Sequence, residues 1–456
     1  MKARVYGSCV FGHTLILLAG GCVPATGQDC GAPSPAPAAP SASPIARALA
    51  YLEATQLAAD LEAPLGRDYA GDWPQCFAFD ESGPYIRDPS PFNATFIHHA
   101  LALIVEQNRE ALGLSAADLA TARRMRQAAV DFMLRFRAGP ECPDAGTFGF
   151  WPHLPQQRSP IDALLSILAD AALGGPELMG VRAPINVSFY PPDLAIPTDA
   201  DDTACVYAAL IDNSGLDGGA PVEEPLERFL ADWRDLGQVP RRNNPSWMPP
   251  ASGAFLTWLA YHDDPSRPNP NEVDLVVNAN VLYALGRSGR LDTPGVEDAI
   301  RLIHEATRAG VHRAAPQEAS LYYPDNNALH YCVARAYSLG GVGGLWPAVQ
   351  ELADDLLDSA YADQDERWWW DKGAPHLNTA LAAVALLYAG YDGPQVTGAV
   401  DYLVREQDPL TGAWQPGAFF QARFDDGRMA TWVSPPLTTA FALEALARYE
   451  LSRTVP

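Results

Sequence analysis

Lysine is almost missing from this chain. Of 456 residues only Lys2 and Lys372 are lysines, and 31 basic residues face 55 acidic ones, a formal net charge of −24. Nucleic acid is held mainly by Lys and Arg on phosphate, so no nucleic-acid partner is expected. The same charge disfavours adsorption to an anionic bilayer. A clamp for a polyanionic substrate has to be built from arginine. Cysteine is sparse: Cys9, Cys22, Cys30, Cys76, Cys142, Cys205 and Cys332, with no Cys-x-x-Cys pair. That argues against a thiolate zinc finger. Sustained period-2 alternation is absent after residue 44, which argues against a β-rich fold. No stretch there is apolar over the ~20 residues a membrane span requires. Disorder is excluded by a hydrophobic fraction of 48% against 19% charged residues, ample for a large core.

The N-terminus reads as an export segment. Lys2 and Arg4 precede a mostly apolar stretch over 10–21 that contains Leu15-Ile16-Leu17-Leu18 and ends in small residues. That is the signal-peptide pattern. Leu18-Ala19-Gly20-Gly21-Cys22 resembles a bacterial lipobox, with the leucine one place further from the cysteine than usual. The resemblance implies that Cys22 is acylated and becomes the mature N-terminus. Residues 22–44 are rich in Pro, Ala and Ser, a composition that forms a tether and not a core. The expected location is the bacterial cell envelope, with the protein exported and held to the membrane by a lipid. Ordinary cleavage and secretion is the alternative. Cys76 and Cys142 lie in Pro-flanked stretches and can pair in an oxidising compartment, but sequence does not fix their separation. Cys205 and Cys332 fall on apolar helical faces, where a small buried hydrophobe is expected.

Helical periodicity runs through residues 45–456. Amphipathic segments at 45–58, 116–137, 223–235, 293–309, 346–360 and 395–406 alternate with segments apolar on nearly every face at 92–106, 199–212, 273–286, 326–339, 376–389 and 436–449. A helix with one polar face is exposed and one apolar all round is buried. Six of each kind predict an all-α chain folded as a single (α/α)6 toroid, with 160–172 as an extra helix.

The amphipathic segments share a signature. Tyr402-Leu403 with Gln407 is followed by Gly412-Ala413-Trp414; Tyr51-Leu52 with Gln56 is followed by Gly71-Asp72-Trp73. Phe132-Met133 leads to Gly149-Phe150-Trp151, and Phe229-Leu230 leads to Gly253-Ala254-Phe255. Each copy places an aromatic and a glycine after an outer helix, where the aromatic can cover the helix end. The repeat resembles the QW motif of squalene and terpenoid cyclases.

Asp199-Ala200-Asp201-Asp202-Thr203-Ala204 opens the apolar segment 199–212. Carboxylates at a helix start cap free N–H groups and meet the positive end of the dipole. The string also resembles the DxDD motif of class II terpenoid cyclases, whose middle aspartate protonates an alkene or epoxide and starts a carbocation cascade. By that resemblance Asp201 is the acid, with Asp199 and Asp202 as modulators. Like charges in one turn raise the pKa of one carboxyl, which suits the role. Members of that family pair two toroids; this chain has length for one.

Protein prenyltransferases share the toroid and hold zinc with Asp, Cys and His. Asp274, His330 and His376 stand at comparable places, but Val276 replaces the cysteine. Capping of helix ends is the expected role, so neither metal nor cofactor is expected. Asp354-Asp355-Leu356-Leu357-Asp358 reads as a solvated helix face. Glu272 and the aromatics Trp258, Trp369 and Trp432 join Asp274, His330 and His376 as candidates for the substrate cavity. Three functions remain open: class II cyclisation of a small apolar isoprenoid; glycan cleavage with two carboxylates such as Asp201 and Glu272 as acid and base; or non-catalytic binding by a lipoprotein on the same toroid.

Overall fold

The computed structural model describes residues 42–63, 66–79, 86–106, 111–139, 145–150, 198–217, 230–237, 241, 243–259, 271–324, 326–423 and 429–454. The export segment, Cys22, most of the tether and the expected helix at 160–172 lie outside the described residues, as does most of the expected helix at 223–235.

Eleven helices of at least eleven residues are described. Five are amphipathic: α1 (Pro44–Thr55), α3 (Ala116–Met133), α6 (Val296–Arg308), α8 (Trp346–Ser359) and α10 (Pro394–Glu406). Six are apolar and buried along most of their length: α2 (Pro91–Glu106), α4 (Ala200–Asp217), α5 (Leu275–Arg287), α7 (Ala328–Ser338), α9 (Pro375–Tyr388) and α11 (Pro435–Ser452). Their starts follow from local chemistry. Ser43 caps α1 ahead of Pro44, Ser115 and Asp118 form a capping box on α3, and Ser434 caps α11 ahead of two prolines. Caps satisfy the first-turn N–H groups and proline removes one of them.

The six buried helices close a cycle. α2 packs on α4, α4 on α5, α5 on α7, α7 on α9, α9 on α11, and α11 back on α2. The amphipathic helices lie against them: α3 on α2, α6 on α5, α8 on α7, α10 on α9 and α1 on α11.

Tryptophans lock the outer helices. Trp73 donates its indole N–H to Leu52 O of α1 at 2.8 Å, Trp414 to Leu403 O of α10 at 2.8 Å, and Trp370 to Leu356 O of α8 at 2.7 Å. Each indole adds a donor to a last-turn carbonyl; Leu52 O and Leu403 O also accept the backbone N–H of Gln56 and Gln407. The paired glutamines reach onward: Gln56 donates to Gly71 O and to Met125 O of α3, and Gln407 to Gly412 O and to Pro44 O of α1. Gly71 and Gly412 have φ of 87° and 82°, and a Cβ on them would stand 2.0 Å from Ala128 O and 2.4 Å from Arg47 O. Only glycine permits that approach. The last outer helix is thereby fastened to the first. The third copy behaves differently: Phe150 packs edge-on against Phe420 and Trp432.

The expectation of a chain without β-structure is corrected. Two hairpins, β1 (Leu61–Ala63) with β2 (Gly66–Asp68) and β5 (Tyr361–Ala362) with β6 (Trp368–Trp369), accompany a four-stranded antiparallel sheet. That sheet is formed by β3 (Cys76–Phe79), β4 (Ile86–Arg87), β7 (Ala418–Arg423) and β8 (Met429–Val433) in the order β4-β3-β8-β7. Strands of two to six residues are too short to leave a readable alternation. The sheet ties the start of the chain to its end, pairing Cys76 with Val433. Cys76 is disulfide-bonded. The candidate partner Cys142 lies outside the described residues.

Candidate functional site

The first turns of the buried helices meet at one end of the ring. Asn93 of α2 bonds Ser434, the cap of α11, and Asn327 bonds Asn378 of α9. The four-stranded sheet reaches this end, where Gln421 N–H donates to Tyr322 O and Asn326 donates to Phe419 O.

Asp199, Asp201 and Asp202 start α4 here, and their roles divide. Asp199 is the cap: its Oδ1 accepts the Asp202 N–H at 2.7 Å. The two carboxyls also bond each other. Burial pushes Asp199 up to about 6, with the Asp202 donors pulling back. Burial and the Asp199 charge push Asp202 well above the usual carboxylate range. Burial of two touching carboxyls favours a proton shared between them.

Asp201 points elsewhere. Oδ1 accepts from Asn280 Nδ2 at 2.7 Å and Oδ2 from the Tyr323 hydroxyl at 2.5 Å, with Cys205 Sγ 3.9 Å from Oδ1. The side-chain amide of Asn280 is oriented by Arg335, whose Nη2 donates to its Oδ1 at 2.6 Å. Arg335 in turn lies over the rings of Tyr283 at 4.3 Å and Phe96 at 4.6 Å. Asp201 is 6% exposed. Burial raises its pKa to about 7, against the two donors and with help from the Asp199 charge. A proton is therefore held far more readily than on an ordinary aspartate, and the geometry of the carboxyl is fixed from α5, α7 and the loop at 320–323.

Asp274 is a structural anchor. It caps α5 through Val276 and Val277, and its other oxygen accepts from Ser320 Oγ, Leu321 N–H and Tyr322 N–H at 2.7, 2.7 and 3.3 Å. Five donors on one carboxylate fix the loop that carries Tyr323. Glu272, fully buried, accepts from the Trp258 indole at 2.9 Å and from the Tyr322 hydroxyl. Glu272 and Trp258 thus stand beside the Asp201 loop.

An aromatic wall runs from Tyr323 to the sheet. Tyr323 meets Phe92 and Phe419 at 5.9 and 5.6 Å. Phe92 meets Phe96 at 5.0 Å and Phe420 at 5.6 Å, and Phe420 stacks on Trp432 at 5.0 Å. The Trp432 indole donates to Asp88 at 2.7 Å. A small recess of about 10 Å³ is lined by Thr95, His99, Cys205, Asp212, Tyr283 and Arg335.

Three sequence candidates stand apart from this group. Trp369 stacks between Tyr361 and Tyr402 on the outer side of the ring. His376 accepts the Gln415 N–H at 3.0 Å and faces Glu406 of outer helix α10 at 3.9 Å. His330 bonds Asp355 of outer helix α8. Asp355 is buried, so the solvated face read at 354–358 is corrected there: Asp354 and Asp358 are exposed and Asp355 turns inward. Sequence reasoning missed Tyr323, Asn280 and Arg335. A polar Asn inside the all-apolar segment 273–286 was the available signal.

No protein-family model matches the sequence, and no curated protein matches it. Solved structures similar to this chain include a variant of the type II terpene cyclase MstE from Scytonema with its substrate geranylgeranyl dihydroxybenzoate, at 15% identity and TM-score 0.49, covering 90% of this chain and 97% of that one. A protein from Actinoplanes matches at 18% identity and TM-score 0.47 over 89% of this chain and 98% of the other. An unsaturated glucuronyl hydrolase specific for heparin matches at 12% identity and TM-score 0.44 over 90% and 96%. These are loose likenesses of chain course, and they span two unrelated chemistries.

Proposed function

We propose that the chain is a single (α/α)6 toroid of terpenoid-cyclase type, in which Asp201 protonates an alkene or epoxide of a small apolar isoprenoid. One observation carries the reading. Asp201 is a buried carboxyl with a pKa near 7, held by two donors at the edge of an aromatic wall. An acid for an alkene must be protonated, dry and fixed in direction, and burial with Tyr323 and Asn280 supplies all three. Proton transfer leaves a carboxylate, which the Tyr323 and Asn280 donors stabilise, and a carbocation, which the π faces of the wall can stabilise. Asp199 and Asp202 keep the helix end in place.

Export is part of the proposal, with Cys22 as the lipid anchor. The disulfide at Cys76 supports an oxidising compartment. A Cys22→Ala variant that still fractionates with membranes removes the anchor.

The deciding assay incubates purified protein with a panel of linear prenyl alcohols, prenyl epoxides and oligosaccharides. Asp201→Asn should lose cyclisation by more than the ~10²–10⁴-fold of ordinary acid–base assistance, because the proton is itself the electrophile. Equal turnover in variant and wild type sinks the proposal. Sugar release that disappears in both Asp201→Asn and Glu272→Gln replaces it with glycan cleavage. A non-catalytic toroid has one observation on its side. The recess beside Cys205 has a volume of about 10 Å³, room for about one water and far below the ~300–1,000 Å³ of ordinary ligand pockets. That reading takes over if no member of the panel turns over.

A further inference from the structure

His312, His330 and Asp355 come from three separate elements. His312 sits in the short helical turn Val311–Ala314, His330 in the first turn of α7, and Asp355 on α8. One ligand atom from each lies within 4.8 Å of the other two. Asp355 Oδ2 is 2.9 Å from His330 Nε2 and 3.6 Å from His312 Nε2. A tetrahedral ion with bonds of ~2.0–2.1 Å places its ligand atoms ~3.3 Å apart. The two observed spacings bracket that value.

His312 supplies the second, independent observation. It is 9% exposed, and neither of its ring nitrogens has a hydrogen-bond partner. His330 Nδ1 has none either. A buried polar group without a partner costs ~1–3 kcal/mol, and native structures contain few of them. The rings meet edge to face at 5.8 Å. Nothing in the proton-delivering group around Asp201 uses these residues.

We propose that His312, His330 and Asp355 form a three-ligand site for a borderline divalent transition metal, zinc first, with the fourth position open to water or another small ligand. The ion supplies the partner that His312 lacks and replaces the His330–Asp355 hydrogen bond with two metal bonds. It joins the turn after α6, inner helix α7 and outer helix α8.

The donors are already in the protonation state that metal binding requires. Burial and the neighbouring His330 lower His312 to about 4, and burial lowers His330. Asp355, which burial alone would raise, is brought down to about 2 by the His330 hydrogen bond, the two histidines and Arg313. Two cations face the group: Arg313 Nη1 is 3.3 Å from Asp355 Oδ1, and the Lys372 charge reaches both histidines. They disfavour calcium or magnesium, which bind through accumulated carboxylate charge. Two imidazoles and one carboxylate suit zinc and its neighbours in the transition series.

The test uses the full chain, freed of metal by chelation and titrated with Zn²⁺ against a chromogenic competitor. One ion per chain is expected, with a Kd of about 1 μM or tighter. Zn²⁺ should raise the melting temperature of the wild type. His312→Gln should weaken binding by more than the ~10–100-fold typical of outer-shell changes. Its metal-free melting temperature should match wild type, because His312 holds nothing by hydrogen bonds. Asp355→Asn should also lose binding, while His376→Gln should keep it. No binding at about 1 mM Zn²⁺, or unchanged affinity in His312→Gln, overturns the proposal.

Discussion

Replacing Asp201 by asparagine changes how the stability of the fold responds to pH. The ordinary carboxyl pKa is 3.8, and burial with the Asp199 charge raises it to about 7 in the folded chain. Three units at ~1.4 kcal/mol each make about 4 kcal/mol. The sign follows from the direction of the shift. A raised folded pKa means that this contribution is fully present below the unfolded pKa and is lost as pH rises toward the folded one. Wild type therefore loses about 4 kcal/mol between about pH 4 and pH 7 from this group, and the loss levels off above. Asparagine carries no such titration. It also fits the site, because the Tyr323 hydroxyl can accept as well as donate, and the asparagine Oδ1 still accepts from Asn280. Urea unfolding of both proteins across about pH 4 to pH 9 measures the difference. The variant should gain on wild type by ~1.4 kcal/mol per pH unit up to about pH 7, then hold a constant lead. Parallel stability curves over the whole range refute a raised pKa at Asp201, and with it the claim that a proton is stored there.

Further outcomes follow from the same geometry. Tyr323→Phe removes a donor that favours the Asp201 carboxylate, so the alkaline limb of the activity–pH profile should move to higher pH; an unmoved limb contradicts Asp201 as the acid. Trp73→Phe, Trp370→Phe and Trp414→Phe each remove an indole hydrogen bond to a helix-end carbonyl and shrink a buried side chain, and each should cost about 1–3 kcal/mol in urea melts. The three should add to within ~0.5 kcal/mol, since they sit on different hairpins. Against burial, Arg448 and His99 hold the Glu444 carboxylate well below its ordinary 4.5, and Tyr331 and Tyr388 donate to it. Its stabilisation is fully present above that value and is lost as pH falls below it. Glu444→Gln should thus cost about 3–5 kcal/mol at neutral pH, with the gap to wild type narrowing in acid.

The ring was legible because burial leaves a mark on every residue of a helix. The segments 92–106 and 376–389 were apolar on all faces, and the structure has α2 at Pro91–Glu106 and α9 at Pro375–Tyr388. The sheet was not legible, since β4 has two residues and β7 six. Asp201 stood out through the company of Asp199 and Asp202. Its partners did not: Asn280 is 79 residues away and Tyr323 is 122. Nothing local ties them to Asp201. Adjacent tryptophans show the other limit. In the hairpin β5–β6, Trp369 stacks on outer rings and the next residue, Trp370, is fully buried as a helix lock. Composition gives three tryptophans in a row, but only Trp370, the residue after β6, turns fully inward. Asp355 failed for the same reason on a helix: its flanking acids Asp354 and Asp358 are exposed, while it turns toward His330.

The start of α4 shows how one short acidic string performs two tasks. A carboxylate at a helix N-terminus gains ~0.3–1 kcal/mol from the dipole and free N–H groups, so a capping aspartate should prefer to be charged. Asp199 takes that role, accepting the Asp202 N–H. Asp202, one turn in and buried beside it, is pushed up by burial and by the Asp199 charge, and shares a proton with it. The nearest negative charge to Asp201 is then partly neutralised, and burial becomes the largest influence on it. The net upward shift, about 4 kcal/mol, exceeds the ~1–2 kcal/mol available at most at a helix end. Two donors keep the net shift near 7 instead of higher, which leaves the acid available at neutral pH and its conjugate base held when the proton departs. Removing Asp199 should therefore loosen the helix end and also take away a charge that raises Asp201, while removing Tyr323 or Asn280 takes away a donor that holds its carboxylate.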